Sequence, residues 1–262
     1  MLLLWIIVFC IGGGVLSALT ASLYLLIPAG IQNRILPHMV SFAIGSLLGA
    51  AFLGIIPDAL LMDQALDVHH LGASILMGIL LFFMLEKLLL WRHCHSNHCV
   101  AHPMDHGQQN TTVLPSGPMI LIGDGLHNFV DGILIAAAFL VDFHLGVLTA
   151  IAVVSHEIPQ ELGNFAVLIH SGYSKMKAFQ YNVLVSITTV VGGVGAYFVL
   201  EDMRVLQPYI LALAAANFLY IAVADLIPPL HDKTRVLDSL MQLSLILLGV
   251  GTIYFSHGYL HQ

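Results

Sequence analysis

The stretch Gly123-Asp-Gly-Leu-His-Asn-Phe-Val-Asp-Gly132 and the stretch His156-Glu-Ile-Pro-Gln-Glu-Leu-Gly-Asn-Phe-Ala-Val-Leu168 place metal-binding side chains inside two otherwise apolar segments. An ionisable group at membrane depth costs on the order of 3 kcal/mol by insertion scales, so a chain that keeps several there is using them. Imidazoles beside carboxylates on facing helices form a ligand set suited to a divalent transition metal. The two stretches therefore predict an intramembrane metal site.

The composition of the whole chain indicates an integral membrane protein. Of the 262 residues, 58% are hydrophobic and only 9% are charged, whereas about 25% of the residues in a soluble domain are charged. Eight apolar runs are long enough to cross a bilayer core of about 30 Å, and they cover residues 2–27, 36–57, 71–91, 117–141, 146–170, 178–200, 207–229 and 236–256. We expect one all-α domain of eight transmembrane helices over residues 1–262, with no basic patch for nucleic acid.

The distribution of basic residues predicts the orientation in the membrane. With the amino terminus outside, the outside loops carry only Arg204, and the inside loops carry Arg34, Lys87, Arg92, Lys175, Lys177, Lys233 and Arg235. The first run lacks a positively charged start, so we expect it to stay as a helix and not to be cleaved as a signal peptide. An even number of spans then places both termini outside, in a multi-pass protein of a plasma or inner membrane.

The loop between the third and fourth runs, residues 92–116, has a composition found nowhere else in the chain. Its metal-binding side chains are His93, Cys94, His95, His98, Cys99, His102 and His106. Such side chains bind soft or borderline metals, but their spacing matches no closed zinc-finger pattern. We expect a segment with little structure that captures or senses metal on the inside, with a solvated linker as the alternative.

Helical spacing brings the polar side chains of each apolar segment together. In the fourth run, four polar residues are separated by steps of three and four, which places their side chains on one face of the helix. They are Asp124, His127, Asn128 and Asp131. In the fifth run, the same spacing relates the pairs His156 with Gln160 and Glu157 with Glu161, and Asn164 continues one stripe. Pro159 should kink this helix, because it lacks an N–H group and leaves the carbonyl of Ser155 without its helical partner. Both groups lie about halfway along their runs, so we expect them to meet near the bilayer midplane, as in transporters.

These motifs resemble the fourth and fifth helices of the Zrt/Irt-like (ZIP) family of metal transporters, and most closely the subfamily whose fifth helix carries HExPHE. The seventh run is similar to that subfamily as well, with Asn217-Phe-Leu-Tyr-Ile-Ala-Val-Ala-Asp-Leu-Ile-Pro228. The eight runs and the histidine-containing inside loop agree with the same family. The resemblance implies a ZIP-like bundle whose second, fourth, fifth and seventh helices form the transport pathway, and it points to a homodimer.

The resemblance also implies two adjacent metal positions. One would use His127, Asp131, His156 and Gln160, and the other Asn128, Asp131, Glu157 and Gln160. Two positions depart from the subfamily pattern, since Gln160 replaces its second histidine and Asn164 replaces an aspartate; the second run also lacks the aspartate and histidine of related proteins. A neutral amide oxygen is a weaker zinc ligand than imidazole or carboxylate, which favours one metal position over two.

These observations predict a transporter that moves a divalent transition metal towards the cytosol. The ligand set lacks a thiolate, which disfavours Cu(I) and suits Zn(II) first, with Fe(II), Mn(II) or Cd(II) as other substrates. Asp58 would attract cations at the outer mouth, and Asp124 with the loop histidines would receive them inside.

Two alternatives belong to other functional classes. An intramembrane zinc metalloprotease is suggested by His156-Glu-Ile-Pro-Gln160, which begins like HExxH but lacks the second histidine that the motif requires. A membrane metal sensor would bind the ion without net transport. We expect a transporter and not an enzyme.

Overall fold

A computed structural model describes residues 1–24, 26–62, 67–93, 116–232 and 236–260, which form helices and turns and contain no β-strand. Eight helical spans are present among these residues, as the sequence predicts. Seven of them are long and apolar enough to cross a membrane by composition alone. The fifth span, Phe143–His170, is not among those seven, because it carries the polar residues of the second motif. Fourteen of its 28 residues are buried by the other helices.

The spans differ in how regular they are. The third, fourth, fifth, sixth and eighth are single α-helices, covering Val68–His93, Ser116–Val141, Phe143–His170, Lys175–Leu200 and Val236–Leu260. The first span joins the α-helices Leu2–Ile11 and Ser17–Tyr24 through the π-helical turn Gly12–Leu16. The second joins Ala29–Gly49 and Ile56–Leu61 through the π-helical turn Ala50–Ile55. The seventh runs through Arg204–Leu206 (3₁₀), Gln207–Tyr220 (α), Ile221–Leu226 (π) and Pro228–Asp232 (3₁₀).

The π-helical turns of the second and seventh spans each end beside a proline. Pro57 and Pro228 have no N–H to donate into the helix. The residue before each of them bonds five positions back, Ile56 N–H to the Ala51 carbonyl and Ile227 N–H to the Ala222 carbonyl. The α-helix of the fifth span continues through Pro159, and Pro159 has no N–H to donate to the carbonyl of Ser155. The expected kink at Pro159 stays a prediction.

Glycines bring two pairs of spans into backbone contact. A Cβ atom added at Gly132 in the fourth span would lie 1.9 Å from the Thr189 carbonyl oxygen in the sixth. A Cβ at Gly45 in the second span would lie 2.0 Å from the Ile246 carbonyl oxygen in the eighth. Small residues allow helices to approach this closely in a membrane. The fourth span, which carries the first motif, is therefore held tightly against the sixth, and the fifth span also packs against it.

Candidate metal centre

Four side chains from the fourth and fifth spans converge inside the bundle. They are His127, Asp131, His156 and Glu157, and each offers one ligand atom within 4.8 Å of the other three. His156 Nε2 lies 3.2 Å from Asp131 Oδ2 and 3.3 Å from His127 Nε2, and His127 Nε2 lies 3.4 Å from Glu157 Oε1. Three of the four are fully buried, and His127 is partly exposed. We call these residues the four-residue group.

The backbone orients His156 for binding a metal. Its Nδ1 atom lies 3.0 Å from the carbonyl oxygen of Ala152, one turn earlier in the same helix. A carbonyl oxygen only accepts, so Nδ1 carries the proton and the lone pair of Nε2 faces the other three ligands. The Phe218 ring packs edge-on against this imidazole at 6.2 Å between centroids. The ring is thus held in the tautomer and direction that a metal ligand needs.

Asp131 is oriented by a residue from the seventh span. Asn217 Nδ2 donates to Asp131 Oδ1 across 3.3 Å, which leaves Oδ2 facing the two imidazoles. In metal sites, residues that hydrogen-bond to a ligand in this way hold the ligand in the orientation that binds the ion. Asn217 lies in the motif of the seventh run, but its sequence position alone gives it no role. The signal in the sequence is an amide in an otherwise apolar run, on the helix expected to line the pathway.

Three of the four carboxylate oxygens in the group lack a hydrogen-bond partner. Asp131 Oδ2 and both oxygens of Glu157 are buried and accept no hydrogen bond. A buried carboxylate without donors is costly unless it is protonated or faces a cation. Two imidazole nitrogens and these oxygens form a donor set that suits Zn(II) and similar borderline ions. The chemistry of the group therefore fits a divalent transition metal.

A cavity of about 680 Å³ reaches the group from one end of the bundle. His127 lies on its wall together with three carboxylates, Glu86, Asp124 and Asp225. Leu36, Met119 and Val167 also line it, near the ends of the second, fourth and fifth spans. At this end of the bundle the third span ends at His93 and the fourth begins at Ser116. Negative charge therefore lines the approach to the site from that end.

Comparison with known proteins places the chain in a family. A family model described as ZIP zinc transporter matches residues 91–257, well over half of the sequence. The chain belongs to the ZIP family. The protein called zinc transporter ZIP13 from Mus musculus is 30% identical over 249 residues, covering 82% of this chain and 68% of its own length. ZIP13 from Pongo abelii is 31% identical over 231 residues, covering 82% of this chain and 65% of its own length.

A shorter match is to zinc transporter foi from Drosophila melanogaster, 40% identical over 134 residues, which are 51% of this chain and 19% of that protein. This ZIP chain spans about two thirds of the length of the ZIP13 relatives. The predicted family and the all-α multi-pass fold are confirmed. ZIP proteins are transporters and not enzymes, so the metalloprotease alternative is not supported. The closeness to the HExPHE subfamily stays a prediction.

Asn128 is predicted as a metal ligand, but the structure turns its side chain towards the sixth span of this ZIP bundle. Its Oδ1 accepts from Thr189 Oγ1 at 2.7 Å, and its Nδ2 lies 3.2 Å from the carbonyl oxygen of Asp124. Both ends of the amide are therefore used in packing. The polar residues of the fourth span do lie on one face of that helix, but part of this face meets the fifth span and part meets the sixth.

Glu161 and Gln160 are also outside the four-residue group. Glu161 is buried against the sixth span, where its Oε1 accepts from Ser186 Oγ at 2.8 Å. Gln160 lines the cavity beside Asp124, and Asn164 Nδ2 donates to Asp124 Oδ1 at 2.6 Å. The structure does not assemble the second metal position that was expected from Asn128, Glu157 and Gln160.

The remaining predicted residues lie away from the group or outside the described residues. Asp58 lies in the first turn of the helix Ile56–Leu61. His93 ends the third span, while Cys94, His95, His98, Cys99, His102 and His106 lie outside the described residues. Glu86 and Asp225, which line the cavity from the third and seventh spans, are not among the predicted site residues. A carboxylate inside each apolar run was the signal that could have identified them.

Proposed function

We propose that this chain moves a divalent transition metal, Zn(II) first, across the membrane through the four-residue group between its fourth and fifth spans. The observation that carries the proposal is the meeting of two imidazoles and two buried carboxylates, three of whose four oxygens accept no hydrogen bond, in a member of the ZIP zinc transporter family. The ZIP13 relatives named as zinc transporters support zinc as the substrate. Charged side chains are costly inside a membrane. Here they would replace the water molecules that surround the metal ion in solution.

The cavity provides the route between the group and one side of the membrane. An ion leaving His127 enters a space walled by Asp124, Glu86 and Asp225. Carboxylates on the wall of an open cavity bind zinc more weakly than a group of nitrogens and oxygens that encloses the ion, so they attract the ion without holding it. On the far side of the group, Leu134, Leu148 and Val153 are fully buried. The described conformation is therefore open towards the end of the bundle at which His93 ends the third span.

The direction of transport follows from the orientation inferred from the basic residues. The end of the bundle that carries Arg34, Lys175 and Lys177 is placed inside, so the cavity opens to the cytosol and both termini lie outside, in a plasma or inner membrane. A membrane-impermeant maleimide applied to intact cells should label a cysteine introduced at Gln262 and spare one introduced at Lys177. The reverse labelling would contradict this orientation and with it the inward direction.

Zinc uptake into proteoliposomes tests the transport proposal. The double variant His127→Ala with Asp131→Ala removes two of the four ligands and should lower zinc uptake at least tenfold. Loss of a residue that only hydrogen-bonds to a metal ligand already lowers metal affinity or activity tenfold or more. His144→Ala removes a histidine from the same helix as His156 but outside the group, so its uptake should equal that of the unmodified chain. Unchanged uptake by the double variant would refute the proposal.

Competition and binding assays resolve the finer points. Fe(II), Mn(II) and Cd(II) added separately against labelled zinc show which ions share the site. If the unmodified chain binds zinc in equilibrium dialysis but transports none into liposomes, the protein is a metal sensor and not a transporter. We infer a homodimer as the transporting form, and light scattering of the purified chain in detergent measures its mass.

A further inference from the structure

A second cavity lies apart from the metal pathway, where the first, fifth and sixth spans meet the start of the second. Its volume is about 520 Å³. Its walls are mostly apolar and include Leu26, Phe165, Ile169 and Phe179. None of the four ligands of the metal group lines it. Because these residues lie near the ends of their spans, the cavity sits at the boundary between the hydrocarbon core and the aqueous face.

One end of this cavity is polar and positively charged. Lys175, the first residue of the sixth span, lies on its wall together with Gln32. No described carboxylate forms an ion pair with Lys175. The two segments that build the cavity, residues 22–38 and 162–182, contain Arg34, Lys175 and Lys177 and have no Asp or Glu. The site therefore combines an apolar slot with a mouth of uncompensated positive charge.

These properties select one class of occupant. An apolar slot open to a bilayer is filled by hydrocarbon in preference to water, and a metal cation is repelled by Lys175. A free inorganic anion would use the lysine but none of the apolar wall. Basic pockets between transmembrane helices on the cytoplasmic side suit acidic lipid head groups. We propose that the cavity binds an anionic phospholipid, with an acyl chain along Phe165 and Phe179 and the phosphate at Lys175.

Native mass spectrometry of the full chain in detergent tests this site. The probes are dioleoyl phosphatidylglycerol, which is anionic, and dioleoyl phosphatidylcholine, which carries no net charge. The unmodified chain should retain the anionic lipid at lower concentrations than the neutral one. Lys175→Gln should weaken binding of the anionic lipid about fivefold, the effect expected of one lysine near a membrane surface, and leave the neutral lipid unaffected.

Lys177→Gln is the matched control. Lys177 is exposed and lies two residues along the same helix, hence on another face, so this variant should bind the anionic lipid like the unmodified chain. Equal weakening by both lysine variants would overturn the proposal in favour of general surface attraction. Equal retention of the two lipids by the unmodified chain would also overturn it.

A second variant tests the apolar slot independently of charge. Ala166 lies on the cavity wall and is exposed, so Ala166→Trp should fill the slot without disturbing packed residues. This variant should lower retention of both lipids. Inorganic phosphate, added in excess, should not displace the lipid. Full displacement by phosphate, or unchanged lipid binding by Ala166→Trp, would show that the cavity does not hold a phospholipid.

Discussion

At the scale of single residues, Asn217 is expected to position a ligand without binding the metal itself. It donates to Asp131 Oδ1 while Oδ2 faces the imidazoles. Asn217→Ala should weaken zinc binding about tenfold, because loss of an outer hydrogen bond lets the carboxylate rotate. Calorimetric titration of the purified chain with zinc measures this change. Gln180→Ala, which removes an exposed amide from the sixth span, should leave the affinity unchanged.

If Asn217 only stabilised the fold, the Asn217→Ala variant would behave differently. If Asn217→Ala lowers thermal stability in the chelator EDTA but leaves the zinc affinity intact, its contact with Asp131 serves folding alone. The comparison therefore separates a positioning role from a structural one.

Glu157 should oppose folding when no metal is bound. Both of its oxygens are buried without a hydrogen-bond donor, so the isoelectronic amide of Glu157→Gln removes a buried charge. In EDTA, the melting temperature of Glu157→Gln should equal or exceed that of the unmodified chain. In zinc, the stabilisation that a bound ligand provides should largely disappear from the variant. Thermal unfolding under both conditions measures the two effects, and a strong loss of stability in EDTA would contradict the prediction.

At the scale of helices, the contact between the fourth and sixth spans depends on glycine at specific positions. A Cβ added at Gly192 would lie 2.1 Å from the Phe129 carbonyl oxygen, whereas one at Gly195 would meet nothing within 4 Å. Gly192→Ala should therefore destabilise the bundle by about 1–3 kcal/mol through overpacking. Gly195→Ala, three residues away in the same helix, should be neutral or stabilise slightly, because alanine favours helices. Thermal unfolding in one detergent compares the two, and equal effects would exclude close packing as the cause.

The helices also show what sequence could and could not predict. Apolar length and helical spacing predict all eight spans and all four members of the four-residue group. Spacing alone does not say which neighbour a polar face meets, and for that reason Asn128 and Glu161 were expected at the metal but lie against Thr189 and Ser186. A partner such as Asn217 comes from a distant part of the chain, so no local pattern reveals its contact with Asp131.

At the scale of the whole molecule, the acidic cavity should govern the rate of transport more than the affinity of the site. Glu86 and Asp225 line the cavity but do not belong to the four-residue group. The double variant Glu86→Gln with Asp225→Asn should lower the zinc uptake rate severalfold, because local negative charge raises the concentration of cations along the route. Zinc affinity, measured by titration, should change little. A parallel loss of affinity would place these carboxylates in the binding site itself.

The π-helical turns of the second and seventh spans leave these helices room to move. A π-helical turn holds more residues than an α-helical one, and one residue advances an α-helix by about 1.5 Å and 100°. If the position of the π-helical turn moved along the span, one end of the helix would shift and rotate relative to the other. Only a few backbone hydrogen bonds would be open at any moment. Free backbone groups cost several kcal/mol each in hydrocarbon, so these turns give both spans a way to slide without unfolding in the lipid.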